Sequence, residues 1–421
     1  MKYAIVTFGC RVNQADSQAV DDALRRRGAI AVPPDDADLV VVNSCSVTAT
    51  ADQGARQTIR RIARANTRAT IVVTGCYATR AADEVGSLPG VVRVVPNESK
   101  GELVDELLAG GVRGGAADLA GDGPCGRPLA PGDAGRTVFT LRVQTGCNEP
   151  CSYCIIPTTR GDSRSMPVTG VLGSVGRATD AGFKEVVLSG VHLGAYGRDL
   201  PTPTSLAALL ATLATRFPDV LFRVSSLEPM DCTPAVLDVM SSARCFAPHF
   251  HLPLQHASCA MLSAMRRPYR LADYARVVDR IRRDEPFAAI GSDIIVGFPG
   301  ESDADHDELC AYLERSPLTH LHVFPYSDRP GTPASRLGAR VDGRIVRQRG
   351  ERVRRIGHEL AAAFRRAHVG VTRRALTVDD GSAAVTDNYL KVRIPPGRPR
   401  NEWVDVRIEE IEPVVAGVVC E

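Results

Sequence analysis

Twelve cysteines occur in this sequence of 421 residues, and the tightest group of them has a spacing suited to iron–sulfur chemistry. Cys147, Cys151 and Cys154 form a C-x3-C-x2-C segment directly after an apolar strand pattern. Three thiolates this close together can ligate three irons of a cuboidal iron–sulfur cluster, which leaves the fourth iron open to a small chelating molecule. A zinc site is the alternative, but structural zinc usually takes four protein ligands, and no fourth ligand lies nearby in the sequence.

A second group consists of three widely separated cysteines, Cys10, Cys45 and Cys76. Each follows an apolar run and precedes a helical pattern, and the spacings of 35 and 31 residues match about one βαβ unit each. Because parallel strands end at one edge of a sheet, the three residues should converge there, where positive helix N-termini favour an anionic cluster. A single cysteine of this kind is more often a small buried apolar residue, but the three together predict a second cluster site.

The other six cysteines show no ligand spacing. Five of them are Cys232, Cys245, Cys259, Cys310 and Cys420, and most of these are expected to be packing residues. Cys125 lies in a segment rich in Gly, Ala, Pro and Asp, and it is interpreted as incidental.

The composition indicates an ordinary globular protein of the cytoplasm with no membrane association. Hydrophobic residues make up 44% of the chain, and the formal net charge is +2. No apolar run approaches the ~18 residues that a membrane span needs, and the first residues lack the features of a signal peptide. In a reducing compartment, spaced cysteines more often bind metal than form disulfides.

Strand and helix patterns alternate over residues 1–108 and predict an α/β domain built on a parallel sheet. Its strands are expected at residues 3–8, 39–42, 70–74 and 91–95, and its helices at 14–27, 52–64, 78–85 and 102–108. Residues 109–136 have the composition of a flexible linker.

Six further strand–helix steps follow between residue 137 and about residue 325, in a domain that extends to residue 365. Six steps are too few for an eight-fold barrel and predict a partial (βα)6 barrel. Its strands are expected at residues 138–144, 185–188, 221–224, 249–254, 293–296 and 320–324. A basic helix is expected at 345–368. The residues from 370 onward are β-rich, with strands expected at 375–378, 390–394, 403–408 and 414–419, and they predict a small all-β barrel in a domain that spans residues 366–421. The predicted fold class is therefore α/β, with a third, all-β domain at the carboxyl end.

The order of these motifs resembles that of the radical-SAM methylthiotransferase family over essentially the whole chain. FGCRVNQADSQ, NSCSVT and TGCYAT resemble the family's three amino-terminal cysteine motifs, and CNEPCSYCIIPTTRG resembles its cluster loop. Residues 366–421 resemble its TRAM domain, a β-barrel that binds RNA. The resemblance implies that residues 1–108 are the methylthiotransferase domain and that residues 137–365 are the radical-SAM domain.

The resemblance also implies two 4Fe–4S clusters and S-adenosylmethionine, with two molecules of S-adenosylmethionine used in each turnover. The C-x3-C-x2-C cysteines would hold the cluster that cleaves S-adenosylmethionine, and the three separated cysteines would hold an auxiliary cluster that handles sulfur. The family's reaction replaces an unreactive C–H bond of the substrate by a carbon–sulfur bond. It needs an electron donor, such as a flavodoxin or ferredoxin system, and a source of sulfur.

Polar residues at the predicted strand ends of the barrel are the candidates for binding S-adenosylmethionine, because this end of an α/β barrel carries the chemistry. Ser226, Glu228 and Gln255 could hold its amino, carboxylate or ribose groups. The glycine-rich segment 297–301 also lies at a strand end, although alone it could be an ordinary Pro-Gly turn. His251 and His256 could equally be framework residues.

A strongly basic segment follows the predicted barrel. Between residues 341 and 374 only Asp342, Glu351 and Glu359 oppose ten arginines, which are Arg344, Arg347, Arg349, Arg352, Arg354, Arg355, Arg365, Arg366, Arg373 and Arg374. A charged helix face is usually just solvated. Next to a barrel that resembles an RNA-binding domain, contact with tRNA phosphates is the better interpretation.

The substrate is predicted from the details of the motifs. GCRVNQ at residues 9–14, with CIIP at 154–157, resembles the branch of the family that acts on N6-threonylcarbamoyladenosine beside the anticodon of tRNA. An arginine at the barrel mouth would suit the anionic threonylcarbamoyl group, and Arg160 and Arg164 are the candidates.

Other functions stay open at this point. Within the family, the alternatives are isopentenyladenosine in tRNA and an aspartate side chain of a ribosomal protein. A radical enzyme that transfers a methyl group alone is also possible. From another class, a non-catalytic RNA-binding protein that contains zinc or iron–sulfur clusters could carry the same cysteines and basic segment.

Overall fold

The computed structural model describes residues 1–109, 129–410 and 415–420. Most of the predicted linker, including Cys125, lies outside these described residues. The chain divides into two compact units. The first consists of Met1–Leu129, Thr145–Ser163 and Ser327–Ser335, and the second of Ala130–Gln144, Arg164–Tyr326 and Arg336–Glu421.

The first unit is built on a five-stranded sheet in which all strands are parallel. In spatial order the strands are Ile30–Ala31, Lys2–Thr7, Leu39–Ser44, Thr70–Gly75 and Val91–Val95. The parallel sheet confirms the predicted fold class of this part. Every residue of the central strand Leu39–Ser44 is buried, because apolar clusters cover both faces of the sheet. The edge strand Ile30–Ala31 was not predicted, since two residues are too few to show a periodic pattern.

Helices connect these strands. They are Arg11–Arg26, Ala49–Ala65, Cys76–Arg80, Ala82–Gly86 and Leu103–Ala109, and Ile156–Arg160 belongs to the same unit. The single helix that was expected at residues 78–85 is two short helices, because Ala81 leaves the helical region with φ −137 and ψ 55.

The second unit contains six parallel strands, as predicted for a partial barrel. They are Phe139–Arg142, Glu185–Ser189, Leu221–Val224, His249–His251, Ala289–Val296 and His320–Pro325. They form two sheets of three strands each. The N–H of Phe222 donates to Cys245 and its carbonyl accepts from Ala247, at 2.6 and 2.8 Å, and these bonds join the third strand to the segment that enters the fourth. The six strands therefore form one curved layer.

Helices pack on the outer face of this layer. They are Val168–Asp180, Leu206–Arg216, Pro234–Ser242, Cys259–Ala264, Leu271–Asp284 and Asp303–Arg315, and two-residue strands lie at Gln144–Thr145 and Arg164–Ser165. Side chains alternate along each strand, so that Ile290 and Ile294 enter the apolar core beneath the helices while Gly291 and Asp293 face the opposite side. The inner face therefore carries polar residues.

The carboxyl-terminal part of the second unit consists of the long helix Gly343–Arg366 and a closed five-stranded barrel. The barrel strands are Thr372–Val378, Ala383–Thr386, Lys391–Arg393, Ala416–Cys420 and Trp403–Glu410. The closed barrel confirms the prediction of a small all-β domain. Its core is apolar and includes Ala375, Val392 and Val406. No helix in the described part of the chain is long and apolar enough to cross a membrane.

Candidate metal centres

The three separated cysteines lie at the carboxyl ends of three adjacent parallel strands. Cys10 is the N-cap residue of the first helix, Cys45 directly follows strand Leu39–Ser44, and Cys76 is the first residue of a short helix. The strands that precede them are neighbours in the sheet. The topology therefore brings these residues to one edge, as the spacing predicted.

The backbone before two of these cysteines is packed so closely that only glycine fits. Gly75 has a φ of +98°, and a Cβ there would lie 2.2 Å from the carbonyl oxygen of Ser44. A Cβ at Gly9 would lie 2.6 Å from the sulfur of Cys45. These contacts draw together the segments that carry the three cysteines. The glycines in FGC and TGC are thus a signal for the site that the spacing argument did not use.

The thiol of Cys45 lies in a buried environment that disfavours its ionised form. Burial raises the pKa of Cys45 to about 12, and the neighbouring Cys10 and Cys76 add to the effect. A thiol in such a place becomes a thiolate ligand when a bound cation compensates the negative charge. This environment suits a thiolate that is permanently bound to metal and is unsuited to a free nucleophile.

The spacing of the sulfurs distinguishes between two kinds of metal centre. A zinc ion bonded to sulfur at about 2.3 Å draws its ligand atoms to within roughly 4 Å of one another. Among the described residues, only one group of three His, Cys, Asp or Glu ligand atoms lies mutually within 4.8 Å, and it contains no cysteine. Neither cysteine trio forms such a compact group, and three thiolates without a fourth protein ligand suit a cuboidal cluster with ligands on separate irons.

The C-x3-C-x2-C segment folds as a tight loop whose backbone amides face its sulfurs. The N–H of Glu149 lies 3.4 Å from the sulfur of Cys147, and the N–H of Ile156 lies 3.5 Å from that of Cys154. Donors of this kind stabilise thiolate charge and tune a cluster. The loop closes because the N–H of Cys147 donates to the carbonyl of Gly161 at 3.1 Å. These residues therefore fit the group that the sequence predicted.

Both trios belong to the first compact unit, although about 70 residues separate Cys76 from Cys147 in the chain. Asn97 joins them, because its side-chain amide lies 3.6 Å from the sulfur of Cys76 and 2.8 Å from the carbonyl oxygen of Thr159. Thr159 lies in the helix that follows the cluster loop. Sequence reasoning missed Asn97, since nothing in its neighbourhood marks it.

Arg160 was predicted to contact substrate, but the structure gives it buried protein partners. It is buried, and its guanidinium donates to Asn13 at 2.5 Å and to Asp16 at 3.2 Å. Lys100 donates to the same Asp16 carboxylate at 2.9 Å. Burial lowers the pKa of Lys100, and the negative charge of Asp16 partly offsets this. The network favours a positioning role for Arg160. Arg164 is exposed and stays a candidate for substrate contact.

The three residues predicted to bind S-adenosylmethionine lie beyond the ends of two barrel strands. Ser226 and Glu228 follow strand Leu221–Val224, and Gln255 follows the next strand. Glu228 forms an ion pair with Arg267. Gln255 is buried, with a φ of +68°, and its backbone N–H and carbonyl bond to Asp293 and Ile295 of the adjacent strand. Their contact with S-adenosylmethionine stays a prediction.

The glycine-rich segment 297–301 ends in a buried carboxylate. Glu301 accepts a hydrogen bond from the N–H of Gly297, and one of its oxygens lies 3.6 Å from His256 and 3.5 Å from His306. Burial alone would raise the pKa of Glu301, but His256, His306 and the charge of Arg349 outweigh it and lower the pKa to about 2. His256 therefore belongs to a framework cluster of buried charged and polar groups.

Comparison with known proteins defines the class to which this fold and site belong. Residues 2–96 match the uncharacterized protein family UPF0004, and residues 141–313 match the radical SAM superfamily. The solved structure of the radical S-adenosylmethionine methyltransferase TsrM from Kitasatospora setae is similar, with a TM-score of 0.55 and 14% identity. The similarity covers 76% of this chain and 72% of that one, and it shows the fold. The chain is a radical S-adenosylmethionine enzyme.

Curated relatives narrow the class further. The threonylcarbamoyladenosine tRNA methylthiotransferase MtaB of Aquifex aeolicus is 35% identical, over 93% of this chain and 96% of the relative. The ribosomal protein uS12 methylthiotransferase RimO of Kineococcus radiotolerans is 32% identical, over 85% of this chain and 81% of the relative. The tRNA-2-methylthio-N(6)-dimethylallyladenosine synthase of Sphingopyxis alaskensis is 30% identical, over 98% of this chain and 96% of the relative.

This chain belongs to the methylthiotransferase family of radical S-adenosylmethionine enzymes. Membership implies a 4Fe–4S cluster and S-adenosylmethionine as cofactors.

Proposed function

We propose that this enzyme transfers a methylthio group to the adenine C2 of N6-threonylcarbamoyladenosine beside the anticodon of tRNA. The observation that carries the proposal is the match to the Aquifex aeolicus relative, which spans nearly the full length of both chains. The relatives with the two other substrates in their names match at lower identity. The GCRVNQ motif at residues 9–14 supports the same branch.

The proposal includes two 4Fe–4S clusters. Cys147, Cys151 and Cys154 would hold the one that takes S-adenosylmethionine on its open iron, and the three strand-end cysteines would hold the auxiliary one. When bound, these groups supply the electron, the radical and the sulfur of the reaction, and two S-adenosylmethionine molecules are used per turnover. The N–H groups of Glu149 and Ile156 stabilise the thiolates of the loop.

Other residues would position the small molecules. Ser226 and Gln255 lie at neighbouring strand ends and are proposed to contact S-adenosylmethionine directly. Glu228 is proposed to act together with Arg267, because the two side chains form an ion pair. Arg164 is exposed and is proposed to meet the carboxylate of the threonylcarbamoyl group.

The helix Gly343–Arg366 and the carboxyl-terminal barrel are proposed to bind tRNA through its phosphates. Several arginines of the helix are exposed, among them Arg347, Arg354 and Arg355. On the barrel, the guanidinium carbon of Arg374 lies 3.9 Å from the ring centre of Trp403. The stacked pair provides a flat cationic and aromatic surface of a kind that RNA bases contact. The remaining partners would be a flavodoxin or ferredoxin system and a sulfur source in the cytoplasm.

The experiment that tests the substrate is mass spectrometry of nucleosides from tRNA of a strain that lacks this gene. We expect loss of 2-methylthio-N6-threonylcarbamoyladenosine, while the methylthio form of isopentenyladenosine stays at its normal level. The wild-type gene should restore the nucleoside, and a gene with Cys147→Ala should not. Loss of the isopentenyl form instead would assign the enzyme to that branch. An unchanged tRNA with an unmodified ribosomal protein uS12 would assign it to the third branch.

A further inference from the structure

Three side chains on the inner face of the partial barrel converge on one point. The Nε2 atom of His251 lies 3.0 Å from an oxygen of Asp293, and the Nδ1 atom of His322 lies 3.2 Å from the same oxygen. In the described part of the chain this is the group of His, Cys, Asp and Glu whose ligand atoms all lie within 4.8 Å of one another. The two cysteine trios belong to the other compact unit.

The strand register determines this convergence. Asp293 and His322 are direct partners on adjacent parallel strands, and His251 is paired with Gly291, two residues before Asp293. Residues two apart on a strand share a face, so the three side chains emerge on the same side of the sheet. That side is the inner one, because the alternate residues Ser292 and Ile294 are turned into the buried outer layer.

The neighbouring position is kept free of a side chain. A Cβ at Gly291 would lie 2.0 Å from the ring of His320, which therefore occupies the space beside the strand. The side chains of His251, Asp293 and His322 are 12%, 26% and 56% exposed, so a small ion can reach them from solvent. The three side chains therefore lie close together and are accessible to an ion from solvent.

We propose that His251, Asp293 and His322 bind a divalent transition-metal ion. Two imidazole nitrogens and one carboxylate oxygen are the donor set of zinc and non-haem iron sites. An ion with ligands at about 2.1 Å holds adjacent ligand atoms roughly 3.0–3.4 Å apart, which is the range of the two oxygen–nitrogen distances here.

Three protein ligands leave at least one position of the ion open. This position faces the interior of the partial barrel, where it would accept an oxygen donor such as a carboxylate or hydroxyl group of a bound molecule. The ion would then act as a Lewis acid that orients this molecule. The inference does not depend on which substrate the enzyme modifies, since it rests on the three side chains alone.

Equilibrium dialysis against zinc tests the site in protein whose two clusters have been reconstituted, with the iron content measured in parallel. The wild-type protein should bind one zinc ion more than the Asp293→Asn, His322→Gln variant, whose affinity should fall by at least about 100-fold. His322→Gln alone removes a largely exposed ligand, and it should weaken binding at least about tenfold. His358→Gln is the matched control, because His358 is exposed on the long helix and should leave binding unchanged.

X-ray absorption at the zinc edge identifies the ligands of the bound ion. We expect nitrogen and oxygen neighbours at about 2.0–2.1 Å and no sulfur. Equal zinc binding by the wild-type protein and the double variant would overturn the proposal, and so would a sulfur shell. A wild-type protein that binds no zinc in the micromolar range would show that Asp293 is only a hydrogen-bond acceptor for the two histidines.

Discussion

Each of the two cysteine trios is expected to hold half of the iron that the enzyme binds. Two cubane clusters correspond to about eight irons per chain after anaerobic reconstitution. Replacement of Cys147, Cys151 and Cys154 by Ala should halve the iron. It should also abolish formation of 5′-deoxyadenosine, which is the nucleoside product of S-adenosylmethionine cleavage. Replacement of the three strand-end cysteines should also halve the iron but leave cleavage of S-adenosylmethionine measurable. Iron analysis and chromatography of the nucleoside products measure both effects.

A matched control uses cysteines outside the motifs. Cys259 and Cys420 are exposed and show no ligand spacing, so Ser at both positions should leave the iron content unchanged. If the strand-end triple variant keeps all its iron, these three cysteines hold no cluster and the proposed auxiliary site is wrong.

Asp16 neutralises two buried cations, Lys100 and Arg160, that lie near Cys76. Its side chain is 1% exposed and pairs with both Lys100 and Arg160, which are 5% and 2% exposed. Asp16→Ala leaves two buried cations without their counterion, which should cost roughly 3–5 kcal/mol. At about 2–4 °C per kcal/mol, the thermal midpoint should fall by roughly 6–20 °C in a calorimetric scan.

Asp105→Ala is the control variant with which the shift in thermal midpoint of Asp16→Ala is compared. Asp105 pairs with Arg27 on the surface, where the two side chains are 73% and 42% exposed. An exposed pair contributes at most about 1 kcal/mol, so the midpoint should shift by less than roughly 4 °C. Similar shifts in the two variants would show that the buried network does not stabilise the unit.

At the residue scale, the sequence predicted that the strand-end cysteines converge, but it did not predict which side chains surround them. Cys10, Cys45 and Cys76 each follow a strand pattern, and one general rule about parallel sheets then places them together. Asp16 and Arg160 are 144 residues apart, and no local pattern connects them. Arg160 was therefore taken for a substrate-binding residue, because an arginine beside a cluster loop looks the same in sequence whether it is buried or exposed.

The helix Gly343–Arg366 contains arginines of two kinds, and this difference can be tested. Arg354 and Arg355 are exposed, so Ala at both positions should reduce the salt dependence of tRNA affinity. The slope of the logarithm of affinity against the logarithm of salt concentration should become shallower by roughly 0.7–0.9 for each phosphate that is no longer neutralised. Filter binding at several salt concentrations measures the slope. Arg216→Ala removes an exposed arginine from a helix on the outer face of the strands and should leave the slope unchanged.

Arg349 belongs to the other kind. It is buried, and its guanidinium donates to the carbonyl of Glu301 at 2.9 Å and to the carboxylate of Asp303 at 2.7 Å. It therefore attaches the helix to the end of a barrel strand and does not face RNA. An unchanged salt slope in the Arg354, Arg355 variant would mean that the exposed arginines, too, are only solvated.

At the element scale, strands composed mainly of large apolar residues were predicted, whereas a strand of only two residues and a strand rich in alanine were missed. The strands at Leu221–Val224 and Val91–Val95 were predicted with their observed bounds, since segments rich in Leu, Phe and Val favour strands. Ile30–Ala31 and Ala383–Thr386 were missed, because these short strands depend on pairing with neighbours rather than on their own pattern. The strand expected at residues 249–254 ends at His251, where Pro253 approaches.

At the scale of the whole molecule, the division of the chain differs from a simple sequence of domains. The cluster loop Thr145–Ser163 is grouped with the amino-terminal sheet, so that both cysteine trios lie in one compact unit. The carboxyl-terminal barrel is grouped with the six parallel strands. Composition and periodicity follow the chain in order and cannot show that a segment returns to an earlier part of the structure.

The carboxyl-terminal barrel is attached to the central strands by specific buried contacts. Arg223, on the third central strand, donates to the carbonyl of Asp387 at 3.2 Å and lies 4.6 Å from the ring centre of Tyr389. Asn388 between them is buried and donates to the carbonyl of Phe287 at 2.8 Å. These contacts make the barrel a structural part of the second unit as well as a proposed RNA-binding surface.

Truncation of the barrel and point substitution on its surface separate these two roles. Truncation before His368 should remove the contacts of Arg223 with Asp387 and Tyr389, lower the thermal midpoint, abolish tRNA binding and reduce cleavage of S-adenosylmethionine. In the full chain, Arg393→Ala with Arg407→Ala should weaken tRNA binding but leave uncoupled formation of 5′-deoxyadenosine intact, because both arginines are exposed on barrel strands. A truncated protein that keeps the wild-type midpoint and still cleaves S-adenosylmethionine would show instead that the barrel is an independent appendage.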